Sequence, residues 1–123
     1  MMKEIALVAL GGGVGSALRF LTSALVGRCA LGHFPLPTLA VNVAGCFLMG
    51  LLASLLGHGT PGGNTLRMLF VTGFCGGYTT FSTFASENVA LLQEGRAGMA
   101  LLYVAVSAAA GLAAVWAGMA AAR

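Results

Sequence analysis

Thr38, Asn42, Ser82, Thr83, Tyr103 and Ser107 are uncharged hydrogen-bonding side chains spread through a chain that is otherwise almost wholly apolar. Thr38 and Asn42 stand four residues apart, so on a helix they share a face with Gly45 and Cys46. Tyr103 and Ser107 repeat that spacing, and Gly111 continues their line. Amide and hydroxyl groups donate and accept without net charge, which suits a path for a small ion or solute. Two readings stay open for Asn42: an interhelical hydrogen bond worth about 0.6 to 2 kcal/mol, or a group facing a ligand. Arg19, the one charge well inside the first apolar stretch, is equally open. Its guanidinium either snorkels to the nearer interface or stands at the mouth of an anion path. Glu87 lies toward the end of the third apolar stretch and reads as a solvated carboxylate rather than a proton relay. No base, nucleophile or metal-ligand set is assembled, which argues against an enzyme.

The element that must position these groups is the stretch Gly73-Phe74-Cys75-Gly76-Gly77-Tyr78-Thr79-Thr80-Phe81-Ser82-Thr83-Phe84. It interrupts an apolar segment running from about Leu66 to Leu92. Each of its glycines weakens a helix by roughly 1 kcal/mol relative to alanine, and two β-branched threonines follow at once. Irregular backbone at membrane depth survives only where protein encloses it or where it lines a polar cavity. A broken span carrying hydroxyls points to an ion or substrate site.

The surrounding chain has 123 residues, 59% of them hydrophobic and only 7% charged, and that balance excludes a soluble domain. Four stretches are long enough to cross a bilayer: about Ile5–Val26, Thr38–Leu56, Leu66–Leu92 and Met99–Ala122. The expected fold is one all-α transmembrane unit over residues 1–123, with four spans and the third broken in mid-membrane. Lys3 ahead of an apolar run resembles a short signal peptide, but the run continues to Val26, so a retained first span is expected. Gly11-Gly12-Gly13-Val14-Gly15-Ser16 is no dinucleotide loop, since the required strand and acid are missing. Gly11 with Gly15, and Gly12 with Ser16, read instead as a helix-packing face. Six basic residues giving a net charge of +3 are no nucleic-acid signature. Cys29, Cys46 and Cys75 lack metal or redox spacing, and the latter two read as small buried hydrophobes. His33 and His58 lack metal-ligand spacing.

Charge placement bears on orientation. Lys3, Arg67 and Arg123 fall on one side of a four-span chain, against Arg28 and Arg96 on the other, with Arg19 just inside. Orientation needs an imbalance of such charges, and there is almost none. A chain that inserts both ways up, closing as an antiparallel homodimer, is the expectation.

Three blocks now carry a resemblance: Gly12-Gly13-Val14-Gly15-Ser16-Ala17-Leu18-Arg19-Phe20, Thr38-Leu39-Ala40-Val41-Asn42-Val43-Ala44-Gly45, and the stretch from Gly73 to Phe84. Together they closely resemble the bacterial fluoride channel family, Fluc or CrcB, over all four spans in order. The resemblance implies a passive fluoride exporter of the bacterial inner membrane, built as a dual-topology dimer with two parallel pores. It implies Asn42 as the pore-lining amide and Phe81 and Phe84 as the paired rings beside the fluoride path. Ser82 and Thr83 would supply hydroxyls, Tyr103 and Ser107 the polar track of the last span, and Arg19 the vestibule. Thr38 joins this set by sharing a face with Asn42. The backbone carbonyls of Gly76 and Thr79, from both subunits, would hold a central sodium ion. Gly111 stands where some members carry a second serine, and Pro37 where glycine is common.

Two other classes compete. A small proton-coupled multidrug transporter needs a carboxylate deep in the membrane, and the first two spans offer none beyond Glu4. A non-transporting assembly subunit would explain the small-residue faces but not the Thr/Ser-rich break.

Overall fold

The computed structural model describes residues 1–28, 32–57 and 62–123. Cys29, His58 and Pro61 lie outside them. Every element among the described residues is helical. Helix α1 covers Met2–Val26, α2 Leu36–Leu55 and α5 Ala97–Ala121. Their lengths of 25, 20 and 25 residues reach about 30 Å or more at 1.5 Å per residue, enough to cross a bilayer core. Between α2 and α5 the remaining apolar stretch forms two pieces. The first, α3, spans residues 63–78; its central section Arg67–Cys75 is wound as a π-helix, a form that clusters at functional sites. The second, α4, is Phe81–Gln93. Multi-pass membrane insertion follows from these helices, whose outer faces leave Phe20, Leu101, Leu112 and Trp116 exposed.

Local chemistry explains the boundaries. Pro37 sits in the first turn of α2, where a missing N–H costs nothing. Arg67 donates from Nη1 to the carbonyls of Ala53 and Leu56, at 3.0 and 3.1 Å, and so satisfies the last turn of α2. α4 stops at Gln93, and the φ of +75° at Gly95 just beyond lets its own N–H reach Leu92 and the Arg96 N–H reach Leu91. The chain then enters α5, whose run of alanines favours helix.

Glycines set the packing. α1 lies against α3 so closely that a methyl on Gly11 would meet the Leu69 carbonyl and come within 2.9 Å of the Phe74 nitrogen. A methyl on Gly15 would meet the Phe74 carbonyl and the Tyr78 nitrogen. The packing face expected from the Gly11/Gly15 spacing is therefore present, with α3 as its partner. α2 packs on α5 in the same way, where Gly50 faces Val115 and Gly118 faces Phe47 and Leu51. Thus α3 belongs with α1, whereas α4 packs on α5 around buried Tyr103, Leu91 and Ala100. The broken span crosses from one helix pair to the other at its interruption.

Candidate functional site

The interruption falls at Thr79 and Thr80, both extended, with φ/ψ of −82/159° and −149/123°. The glycines ahead of it, expected to weaken the helix, keep helical geometry at Gly76 and pack against α1 at Gly73 and Gly77. The break is thus made by threonines, which tolerate extended backbone well, while the glycines bring two helices together.

Asn42, on α2, holds the break open. Its Oδ1 accepts from the Thr80 N–H at 2.8 Å, and its Nδ2 donates to the Thr80 carbonyl at 3.0 Å. One carboxamide therefore satisfies both polar groups of an extended residue that a membrane would otherwise penalise. A carboxamide has two N–H donors, so at most one remains for a ligand. Thr80 also caps α4: its Oγ1 accepts from the Thr83 N–H at 3.4 Å and pairs with Thr83 Oγ1 at 3.2 Å. The positive end of the α4 dipole is thereby anchored at the break.

The same bonds release two carbonyls. In an unbroken α-helix the Thr80 N–H would bond the Gly76 carbonyl, and the Thr83 N–H the Thr79 carbonyl. Both donors are taken instead by side chains, Asn42 Oδ1 and Thr80 Oγ1. Gly76 is exposed, with open space where a side chain would stand. A hard cation binds oxygen ligands of this kind, and two per chain would make four in a two-fold pair. The residues therefore fit the expected ion.

Two cavities meet at Thr80. One, of about 450 Å³, is lined by Asn42, Cys46, Met49, Phe81, Phe84 and Ser107, together with Thr79 and Thr80. The Phe81 and Phe84 rings lie 5.7 Å apart and inclined at 44°. Ser107 Oγ is buried there with no partner among the described residues. The other cavity, of about 210 Å³, is lined by Arg19, Ser16, Ser23, Thr38, Thr80 and Thr83, with Phe20 and Val41. Arg19 is half-buried and turned into this hydroxyl-rich space. Of the residues singled out in the sequence, Asn42, Phe81, Phe84 and Ser107 thus gather at the first cavity, and Arg19, Thr38 and Thr83 at the second. Ser82 is exposed and lines neither. Tyr103 is fully buried behind Phe84, with ring centroids 5.0 Å apart, and lines neither.

Glu87 corrects an expectation. Rather than being solvated, it is half-buried and accepts from Thr38 Oγ1 and Tyr103 Oη, each at 2.9 Å. The carboxylate occupies the protons of both hydroxyls, so these present lone pairs to their other neighbours. It sits six residues from the end of α4, about 9 Å along the axis, too deep to be left unpartnered. That depth was the available signal. Asn88 is a second polar group overlooked in the sequence; its Nδ2 donates to the Phe84 carbonyl at 2.9 Å. Tyr78 fastens the break to α1 through a 3.0 Å bond from its hydroxyl to Thr22 Oγ1. Of the cysteines, Cys46 and Cys75 are free thiols, Cys75 fully buried.

Comparison with known proteins adds a family. The model of a family described as CrcB-like protein, Camphor Resistance (CrcB), matches residues 6–119. Among curated relatives, a fluoride-specific ion channel FluC of Paracoccus denitrificans is 51% identical over 112 residues, covering 91% of this chain and 88% of its own. Proteins of the same name from Flavobacterium psychrophilum and Agrobacterium fabrum are each 43% identical. The first alignment covers 96% of this chain and 95% of the relative, the second 99% and 98%.

Proposed function

The chain belongs to the CrcB-like family, and from that premise we propose that it is a fluoride-selective channel. It carries fluoride passively out of the cytoplasm across the bacterial inner membrane and so lowers fluoride toxicity. The observation that carries this reading is the break itself, with an amide, hydroxyls, phenyl rings and a helix N-terminus converging on Thr80.

Fluoride is small and firmly hydrated, so a path must replace its water with donors, yet hold it weakly enough to let it leave. A fixed positive charge at mid-path would trap it. Here Arg19, whose guanidinium lines the second cavity, raises the local anion concentration. Thr83 and Ser23 share that cavity and supply hydroxyl donors, while Ser16 gives its proton to the Gly77 carbonyl at 3.5 Å. Past Thr80, the remaining Asn42 N–H and the orphaned Ser107 hydroxyl take over. The rings of Phe81 and Phe84 present positively polarised edges. Thr38 and Tyr103 contribute indirectly while Glu87 holds their protons, and Ser82 serves from the exposed face of α4.

The working unit is an antiparallel homodimer with two paths, supported by the near balance of basic residues between the two sides. It is supported too by the exposure of Phe81 and Gly76 on a single chain. Gly76 and Thr79 carbonyls from both copies hold a structural sodium ion, which supplies positive charge that braces the pair. The experiment is efflux from proteoliposomes. With potassium permeability supplied, trapped fluoride escapes at a rate set by protein density while trapped chloride stays. Retention of fluoride by vesicles containing folded protein overturns the reading.

A further inference from the structure

The structure points to a second task for Asn42: besides lining the anion cavity, it positions the cation site, so that the two sites are coupled through one side chain. This rests on the sodium reading above. We propose that coupling because Asn42 Oδ1 holds, at 2.8 Å, the very N–H that an intact helix would return to the Gly76 carbonyl. Thr80 Oγ1 does the same for the Thr79 carbonyl by accepting from the Thr83 N–H at 3.4 Å. The break strips the helical donors from the carbonyls of residues 76–79. Gly76 and Thr79 are the two whose donors are held by the Asn42 and Thr80 side chains, whereas the Gly77 carbonyl accepts from Ser16 Oγ at 3.5 Å. The diversion has one origin, since Asn42 fixes Thr80 on both its N–H and its carbonyl, and the capping hydroxyl belongs to that same residue. Without Asn42, the Thr80 N–H is unsatisfied in an apolar environment, and its nearest remedy is to close back onto Gly76. Closure would withdraw a ligand from the cation and shift the Thr80 wall that both cavities share. Coupling of this kind is reciprocal: whatever stabilises the open break at one site favours binding at the other.

The test reads cation binding without reference to conduction. The full-length protein in detergent is titrated with sodium chloride against N-methylglucamine chloride at constant ionic strength, following the thermal midpoint and the dimer fraction. Wild type is expected to be stabilised by sodium. Asn42→Asp keeps an oxygen to accept the Thr80 N–H but loses the bond to the Thr80 carbonyl, so its apparent sodium affinity should fall less than that of Asn42→Leu. Asn42→Leu removes the acceptor and should lower that affinity on the order of tenfold or more. A Leu variant with the wild-type sodium response, beside a responsive wild type, overturns the coupling and leaves the sodium reading standing. A wild type blind to sodium overturns both. Should Asn42→Leu fail to fold, Asn42→Ala decides. It leaves the Thr80 N–H without its Oδ1 acceptor and should weaken sodium binding in the same way, and an unchanged response rejects the coupling.

Discussion

Replacing Phe81 by isoleucine separates the ring's part in conduction from its part in folding. Phe81 is 78% exposed within the chain, and its ring neighbour is Phe84 at 5.7 Å. One such aromatic pair is worth about 0.5 to 1.5 kcal/mol, so Phe81→Ile should cost no more than that in stability. Phe84 has two ring neighbours, Phe81 and Tyr103, and Phe84→Ile should cost about twice as much. The loss in conduction is larger than the loss in stability. A desolvated cation over a ring face gains about 2 kcal/mol; taking the same size for fluoride at the positively polarised edge, its loss at the barrier slows passage about 30-fold. Isoleucine fills similar space but presents no polarised edge, so volume alone does not rescue it. The assay is fluoride efflux from proteoliposomes at matched protein density, with thermal midpoints and dimer fraction measured on the same preparations. Undiminished efflux through folded Phe81→Ile would refute the edge-on role of the rings.

Other consequences can be checked with similar means. Asn42→Asp places a fixed negative charge beside the path and should cut fluoride efflux at least about tenfold, the equivalent of 1.4 kcal/mol; normal throughput would reduce Asn42 to a link between helices. Gly15→Ala drives a methyl into the Phe74 carbonyl and the Tyr78 nitrogen, and overpacking of that kind should destabilise the protein by about 1 to 3 kcal/mol in a denaturant titration. Cysteine or epitope tags at the C-terminus should be labelled from both sides of the membrane, and labelling from one side only would contradict dual insertion.

Much of this was legible in the sequence because its signals are local or periodic. Three of the four apolar stretches mark helices long enough to cross a bilayer, the third in chain order marks the broken pair α3 and α4, and their ends are displaced by only a few residues. The four-residue spacing of Gly11 and Gly15 marks a packing face. The interruption itself is announced by adjacent glycines and threonines. What each residue type does there was less visible: glycines serve helix contact, and the threonines take the extended geometry. The π winding of Arg67–Cys75 leaves no trace in propensity, since the same apolar residues suit an α-helix. Long-range pairings were hidden altogether. Glu87 meets Thr38 across 49 positions and Tyr103 across 16, and Asn42 meets Thr80 across 38. Arg67 looked like a topological charge and turns out to satisfy the end of α2. Such pairings are set by which helices pack together, information that no single stretch contains.

The most direct measurement is the reversal potential of the purified protein in a planar bilayer, with opposed gradients of fluoride and chloride at equal pH. A passive fluoride path predicts a potential that follows the fluoride gradient alone, about 59 mV for each tenfold ratio. A potential that follows chloride, or that moves when only pH is changed, would contradict it.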